Sequence, residues 1–542
     1  MAIWIVKNSG KISYGIKRYL CDTLEDLPYS ENGEVVIPGS KAYVISEKKT
    51  YMMGSDEEWH EINEGSGSGA SSMSQLTDVD LTNLDDGQVL KYDLVEQKWK
   101  NAKYPDLMLT QEEYNQLSES EKIDGTNYFI TDAYDTIPIV YGMSIKGSES
   151  VPNDKVTYLN DASNMSPAYM DFTNSTFNYG SCRNSFFMPR PCMLRSDGTV
   201  DYYLNPNDYS KKIDGTASDY DNFDYDGNAM MEWGQNGQKI WIKVNPDPLD
   251  PESADVFISN HQVNAEYHAW SFINNSGDLV EHFYTPIYNG TLDTNNKLRS
   301  ISGKAYTSLC QGKTAAQEIT AAQLNNPINK DLWYTEIWSD VLTINYLLIL
   351  ISKTTNSEAA FGRGRTDQTS AASLMLGTGT MDDKGMFWGS NTSDYGVKVF
   401  GMENWWGNQW RRIAGLLLLD GIIKYKLTKG IQDGSTATDY STSSAEGYLT
   451  GITLPPSGYI SKMNFSEDGN MVPSSVTSGS ATTYYCDYLY TNLSGLCYAF
   501  RGGYCALSRF CGAFCLRLLA APSVAGWRFG AGLSCKPEAI DA

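Results

Sequence analysis

Few residues in this chain have the types and spacing of a catalytic or metal site. His261 and His268 are seven residues apart, which puts them on opposite faces of a strand and predicts no zinc pair. Gly362-Arg-Gly364 and Gly377-Thr-Gly379 lack the downstream glycine and the helical pattern of nucleotide-binding loops. We therefore expect no catalytic residues, no metal ligands and no cofactor, and we predict that the protein is not an enzyme.

An acidic segment leaves a calcium site open as an alternative. Asp219, Asp221, Asp224 and Asp226 precede Gly227, and alternating carboxylates of this kind hold Ca²⁺ in EF-hand loops. No Glu follows at the closing position of such a loop. The pattern therefore favours a solvated acidic loop over a calcium site.

The most unusual segment lies near residue 542. Residues 488–537 contain no Asp or Glu, whereas the whole-chain frequency predicts about six. Neither a period of 2 nor one of 3.6 fits the apolar residues there, so the segment is either an irregular part of the core or a binding surface. It carries five cationic residues: Arg501, Arg509, Arg517, Arg528 and Lys536.

Six of the ten cysteines fall between Cys486 and Cys535. The sequence starts without the basic and apolar regions of a secretory signal, so we expect no such signal. Disulfides form mainly in exported proteins. The cysteines are therefore predicted to be free or buried thiols, with their pairing left open.

Two elements should position the segment 488–537. Asp420-Gly421 joins two apolar runs, 416–419 and 422–425, and predicts a hairpin with a two-residue turn. A helix is predicted over residues 333–353, because apolar residues recur there at the spacing of one buried stripe. The stripe consists of Ile337, Val341, Ile344, Leu348 and Ile351.

Smaller modules are predicted before residue 136. Strand patterns at 3–6, 41–46 and 50–53 indicate a β-rich module, and the Gly/Ser run 65–72 is typical of a flexible tether. Strands are also predicted at 88–92, 98–99 and 128–131, and the capping-box pattern of Thr110 and Glu113 predicts a helix from Gln111. The predicted organisation is four parts: 1–64, a linker 65–75, 76–135, and a large domain 136–542.

Composition excludes two classes of partner. The net charge of −23 argues against binding to nucleic acid through its phosphates. The longest apolar runs are too short to cross a bilayer, so we expect no membrane insertion. Tyrosine is abundant, with 36 residues against 4 histidines, and its amphipathic ring suits contact surfaces.

The large domain resembles a known family. Gly401-Met-Glu-Asn-Trp-Trp-Gly-Asn-Gln-Trp410, Arg501-Gly-Gly503 and residues 527–532 are similar to the C-type-lectin-like fold of formylglycine-generating enzymes and phage tail proteins. The predicted helix from Ile337 to Ile351, together with residues 355–362, resembles the helix that precedes this region in the phage members. The resemblance implies an α+β protein: small β-rich N-terminal modules followed by a C-type-lectin-like domain with long insertions.

The N-terminal modules resemble pieces of phage tail fibres. The similar stretches are residues 42–45 with Trp59, 76–80 with 86–90, and 109–113 with 128–132. The resemblance implies a receptor-binding protein of the virion, located at a phage tail or fibre tip after assembly in the host cytoplasm. Its expected partners are a bacterial surface receptor (a glycan or a protein), other tail proteins through the N-terminal modules, and two further copies in a homotrimer.

Residues 504–529 resemble the variable region written by diversity-generating retroelements. These systems mutate template adenines, so Asn codons are replaced by codons for Tyr, Ser, Arg, Leu, Phe, Cys, Ala, Val or Gly. Trp527, whose codon has no adenine, is then part of the framework, with Pro522, Gly502 and Gly503. The resemblance implies a displayed, receptor-binding set: Tyr504, Ala506, Leu507, Arg509, Phe510, Arg517, Leu519, Ala520, Val524, Arg528 and Phe529.

Two alternatives stay open. Formylglycine-generating enzymes oxidise cysteine with copper held by a pair of cysteines, and Cys505, Cys511 and Cys515 lie in the corresponding region. A bacterial surface lectin with the same kind of variation would share the binding chemistry but should carry an export signal.

Overall fold

The computed structural model describes residues 138–426 and 452–539 continuously. Before residue 138 it describes only short segments: 4–5, 18–28, 30–31, 34–36, 40–53, 58–61, 79–80, 88–93, 98–103, 107–109 and 128–130. Contacts divide the chain into two units, Met1–Thr136 and Ile137–Ala542. The tether 65–72 and the helix predicted from Gln111 lie outside the described residues.

Twelve strands, with one 3₁₀ turn at Leu24–Asp26, lie in the described part of the first unit. They are β1 (Trp4–Ile5), β2 (Arg18–Cys21), β3 (Ser30–Glu31), β4 (Glu34–Val35), β5 (Lys41–Val44), β6 (Lys49–Met53), β7 (Trp59–Glu61), β8 (Val79–Asp80), β9 (Gln88–Asp93), β10 (Lys98–Lys103), β11 (Leu107–Leu109) and β12 (Tyr128–Ile130). The largest sheet has the order β1-β2-β5-β6-β7, and its buried side chains include Ala42, Val44 and Met53. The predicted pairing of 41–46 with 50–53 is confirmed by β5 and β6, which run antiparallel.

Twenty-six strands lie in the described part of the second unit. They are β13 (Val140–Ile145), β14 (Val156–Asn160), β15 (Tyr169–Asp171), β16 (Thr176–Asn178), β17 (Arg190–Arg195), β18 (Val200–Asn205), β19 (Asp208–Lys212), β20 (Gly227–Trp233), β21 (Trp241–Asp247), β22 (Asp250–Ser259), β23 (Phe283–Pro286), β24 (Thr291–Leu292), β25 (Leu298–Arg299), β26 (Trp333–Thr335), β27 (Lys398–Val399), β28 (Met402–Glu403), β29 (Trp410–Leu419), β30 (Ile422–Tyr425), β31 (Gly458–Tyr459), β32 (Lys462–Phe465), β33 (Met471–Ser475), β34 (Tyr488–Thr491), β35 (Leu496–Arg501), β36 (Leu516–Ala520), β37 (Phe529–Ala531) and β38 (Leu533–Cys535).

The α+β prediction is wrong, because the fold is β-rich. Among the described residues there are three α-helices: α1 (Ala315–Gln323), α2 (Trp338–Ser352) and α3 (Ser357–Phe361). Gly, Asn and Asp recur every few residues in the sequence of the second unit, and these residues favour turns between short strands. Most of the large domain is therefore built from hairpins rather than from helices.

Three sheets form the body of the second unit. One has the order β14-β13-β22-β21, and a seven-stranded sheet has the order β19-β18-β17-β20-β23-β38-β26. The third, also seven-stranded, has the order β30-β29-β35-β36-β34-β31, and β37 pairs with β29 in parallel. The predicted hairpin is confirmed: β29 and β30 are antiparallel, and Asp420 and Gly421 both have the positive φ of the expected turn.

Helix α2 begins later than predicted and is buried on every side. Residues 333–335 form β26 instead, and pair with β38. The sequence predicts one buried stripe, but all fifteen residues of α2 are buried. Polar side chains on its other faces have partners: Asp340 forms an ion pair with Lys536, and Thr343 a hydrogen bond with Ser271.

A buried ion network joins α2 to the third sheet. Glu336, between β26 and α2, accepts hydrogen bonds from Arg411 of β29 and Arg501 of β35. Arg501 also donates to the Trp405 carbonyl, and its guanidinium lies 3.5 Å from the centre of the Trp405 ring. Burial opposes ionisation of Glu336, but Arg501 and Arg411 outweigh it and hold its pKa below the ordinary value. Burial lowers the pKa of Arg501 to about 10, so both groups are charged at neutral pH.

The replacement Glu336→Ala should destabilise the second unit by about 3–5 kcal/mol, because it leaves two buried guanidinium groups without their counter-charge. Urea unfolding followed by tryptophan fluorescence measures this loss. The matched control is Glu266→Ala, which removes an exposed ion pair with Lys243 and should cost less than about 1 kcal/mol. Equal, small losses in the two variants would contradict the assigned role of Glu336.

Candidate functional site

Outside strand β36, the segment 504–528 is irregular because its backbone bonds to neighbouring loops instead of to a regular ladder. The Cys505 N–H donates to the Asn408 carbonyl at 3.1 Å, and the Ser508 N–H donates to the Thr366 carbonyl at 2.6 Å. The buried carboxylate of Asp487 accepts the Phe514 N–H at 2.7 Å. A side chain at Gly512 would collide with this carboxylate, since its Cβ would lie 2.0 Å from Oδ1. These hydrogen bonds hold the loops onto the residues beneath them. They also explain why the apolar residues of the loops follow neither a period of 2 nor one of 3.6.

Three residues predicted to be displayed are buried. Tyr504, Ala520 and Phe529 are only 8%, 5% and 1% exposed, so their assignment to the receptor-binding set is wrong. The Tyr504 ring packs edge-on against Trp527, with centroids 5.7 Å apart, and the Phe529 ring lies 4.6 Å from that of Phe500. These contacts make them part of a small apolar core beneath the loops.

The other eight predicted residues reach the surface to different degrees. Arg509, Leu519 and Arg528 are exposed. Strand β36 alternates, so Leu516, Leu518 and Ala520 point inward while Arg517 and Leu519 point outward. The half-buried members of the set are Ala506, Leu507, Phe510, Arg517 and Val524. Trp527, predicted to be framework, is itself half-buried and packs on the core beneath the loops.

Phe510 belongs to a half-exposed cluster of rings, here called the aromatic patch: Tyr459, Tyr488, Tyr490 and Phe510. The Phe510 centroid lies 4.7 Å from that of Tyr488 and 5.3 Å from that of Tyr459. Tyr488 in turn lies 4.6 Å from Tyr490. The three tyrosines are not among the residues predicted from the sequence, although the alternation of Tyr488 and Tyr490 around buried Leu489 is the pattern of two rings on one strand face.

Two arginines beside the patch have no acidic partner among the described residues. The guanidinium carbons of Arg517 and Arg528 lie 5.3 and 5.2 Å from the centre of the same ring, that of Phe529. Burial, and then the charge of Arg528, lowers the pKa of Arg517. The nearby Arg509 differs, because it faces Glu358 at 3.4 Å. Arg517 and Arg528 therefore form a cationic pair whose charge the fold leaves uncompensated.

The cysteines of this region are core residues. All ten cysteines are buried and free, as predicted. Burial raises the pKa of Cys505 to about 11 and those of Cys511 and Cys515 well above the ordinary value. Copper binds thiolate, so three buried and protonated thiols fit poorly with a copper site open to a substrate.

The other candidate ligands are also dispersed. His268 stacks on Trp270, and the carboxylate of Asp219 accepts the Tyr202 hydroxyl at 3.0 Å. Asp226 accepts the Ser196 hydroxyl at 2.9 Å. Within residues 138–426 and 452–539 and the short segments before them, no three His, Cys, Asp or Glu side chains are grouped to hold a metal ion.

No helix in the described ranges is long and apolar enough to cross a bilayer. No family model matches the chain, and no curated protein matches it.

The pH dependence of stability should reveal the state of Glu358, beside the exposed Arg509. Burial raises the pKa of Glu358 from its ordinary value of 4.5 to about 7, although Arg363 and Arg509 oppose the shift. The folded protein therefore holds this proton more tightly than the unfolded chain does. The resulting stabilisation is complete below about pH 4.5 and is lost as the pH rises through about 7, amounting to at most about 3 kcal/mol.

The variant Glu358→Gln should lack this decline, and urea unfolding at a series of pH values from 4 to 8 measures it. The control is Glu467→Gln, at an exposed carboxylate, which should keep the slope of the unaltered protein. If the Glu358→Gln and unaltered proteins have the same slope, Glu358 is not protonated in the folded state.

Proposed function

We propose that this protein is a receptor-binding protein of a phage virion, and that it attaches to a bacterial surface through its C-terminal surface rather than acting as an enzyme. The C-terminal surface comprises the aromatic patch together with Arg509, Arg517, Leu519 and Arg528. The observation that carries the proposal is the cationic pair Arg517 and Arg528, whose guanidinium groups both lie over the Phe529 ring and have no acidic partner among the described residues. Two like charges held together repel each other, and an anionic ligand would offset that cost.

The side chains of this surface are those that concentrate binding energy. Tyrosine and arginine are enriched among the residues that dominate interfaces, since a ring buries a large area at little entropic cost and a guanidinium donates several hydrogen bonds. Leu519 shares the outward face of β36 with Arg517 and is 39% exposed, and a partner that covers it would remove this apolar area from water. An anionic receptor, with carboxylate or phosphate groups, fits the arginines.

The support beneath the surface favours variation of its side chains. The loops donate main-chain N–H groups to the carbonyls of Asn408 and Thr366 and to the carboxylate of Asp487. These hydrogen bonds do not depend on which side chain points outward. Replacement of an outward residue therefore changes the ligand without removing the framework. This agrees with the resemblance to retroelement-diversified proteins, now restricted to the eight residues that reach the surface.

Assembly would compensate for weak single sites. The resemblance of the N-terminal modules to tail fibres supports attachment to other tail proteins and a homotrimer. Several copies that engage one cell together raise the effective affinity about 10²- to 10⁴-fold when their geometry allows simultaneous binding.

The double variant Arg517→Gln/Arg528→Gln should lower adhesion to bacterial cells at least about tenfold, because it removes the counter-charge for the receptor. Labelled protein is incubated with a panel of strains, and the bound fraction on an adherent strain is measured by flow cytometry. The melting temperature should be unchanged, since neither guanidinium forms an ion pair within the described residues.

The matched control is Arg183→Gln, at an exposed arginine that lies 4.2 Å from the Tyr179 ring, outside the C-terminal surface. It should adhere like the unaltered protein. Full adhesion of the double variant, or failure of the unaltered protein to adhere to any strain, would refute the proposed site.

The encoding locus offers a genetic test of variation. An adjacent reverse-transcriptase gene should accompany an imperfect copy of codons 504–529. That copy should carry adenine-rich codons, chiefly Asn, at Arg509, Leu519 and Arg528, and an unchanged Trp codon at Trp527. A locus without such a copy would show that the surface is not diversified in this way, although it could still bind a receptor.

A further inference from the structure

A second candidate site lies in the second unit, away from the C-terminal surface. It is a cavity of about 330 Å³, within the size range of pockets that hold small molecules. Buried Met381 and the main chain of Gly389 and Gly396 contribute to its wall. The side chains that give the pocket its chemistry are Phe172, Lys384, Trp388, Asn391, Asp394 and Tyr395.

Two rings provide the apolar part of the pocket. Trp388 and Tyr395 meet edge to face, with their centroids 5.7 Å apart and their planes at 87°. Tyr395 is 55% exposed, which is unusual for a large ring without a covering partner. A flat, amphipathic ligand can lie against such rings while its polar edge faces water or polar side chains.

The polar groups of the pocket are available to a ligand. Nowhere in the described ranges does a hydrogen bond or ion pair use the Asn391 amide, the Asp394 carboxylate or the Tyr395 hydroxyl. Together they offer both donors and acceptors, which is the set that several vicinal hydroxyl groups require. Lys384 already places its ammonium group 6.0 Å from the centre of the Trp388 ring, so a cationic ligand is disfavoured there.

The wall of the pocket is preformed. A Cβ atom at Gly389 would lie 1.9 Å from the Phe361 carbonyl oxygen, and one at Gly396 would lie 2.4 Å from Asn404 Oδ1. The main chain is therefore closely packed against its neighbours at both positions. Arg365 fixes the outer loop by donating to the Asp394 carbonyl at 2.8 Å and to the Leu374 carbonyl at 2.9 Å. A rigid pocket loses little entropy when it binds a small molecule.

We propose that this pocket binds one sugar residue of a saccharide. A sugar ring has an apolar face of C–H groups for Trp388 and Tyr395, and hydroxyl groups for Asn391 and Asp394. The site does not depend on the proposed function of the C-terminal surface. The two are nevertheless linked through Gln368, which donates through its side chain to the Ser393 carbonyl and through its main chain to the Cys505 carbonyl.

The test uses the full-length protein without cells, so its result is separate from that of the adhesion assay. Saturation-transfer NMR and calorimetric titration are performed with glucose, galactose, mannose, rhamnose, N-acetylglucosamine and N-acetylgalactosamine, each also as a disaccharide. At least one should bind. Trp388→Ala should weaken its binding about tenfold through loss of the stacked ring.

A second variant keeps the test valid if Trp388→Ala does not fold. Asn391→Ala/Asp394→Ala alters two exposed side chains that make no internal contact by hydrogen bond, and it should also weaken binding about tenfold, with an unchanged melting temperature. The control is Tyr43→Ala, at an exposed tyrosine of the first unit, which should bind like the unaltered protein. The proposal is overturned if none of the saccharides binds, or if the bound saccharide is held equally well by both pocket variants.

Discussion

The second unit depends on one carboxylate, that of Glu336, held between two buried arginines. Arg411 comes from β29 and Arg501 from β35, while Glu336 itself joins β26 to α2. One ion network therefore fixes two sheets and the central helix relative to each other. Such a network adds little net stability compared with apolar packing, but loss of one member leaves charges without partners, so it strongly selects a single arrangement.

The support from this ion network allows the C-terminal surface to carry positive charge although the protein as a whole is acidic. The chain carries a net charge of −23, which would repel an anionic cell envelope at long range. Screening limits that repulsion to about 8 Å at physiological ionic strength, so in the proposed attachment to a cell local charge would govern the final contact. Arg517 and Arg528 supply that local charge where no carboxylate of the segment 488–537 can neutralise it.

Local patterns predicted local features well. The Asp420-Gly421 turn, the pairing of β5 with β6 and the buried thiols all follow from a few adjacent residues. Predictions failed where the outcome depends on distant residues. Residues 333–335 join a sheet because β38, two hundred residues later, pairs with them. Likewise, Tyr504 and Phe529 are buried by Trp527 and Phe500, and the aromatic patch gathers rings from three separate segments, whose contact with each other no local pattern indicates.

The position of β38 has a consequence for biosynthesis. Residues 533–535 lie between β23 and β26, in the interior of a seven-stranded sheet rather than at its edge. While the ribosome is still translating the preceding segments, β23 and β26 each have an unpaired edge, and exposed edges of this kind promote aggregation. Closure of the sheet must wait for the emergence of residue 535. Folding of this sheet therefore cannot be completed before its last strand is available, and its long-range pairing predicts slow folding.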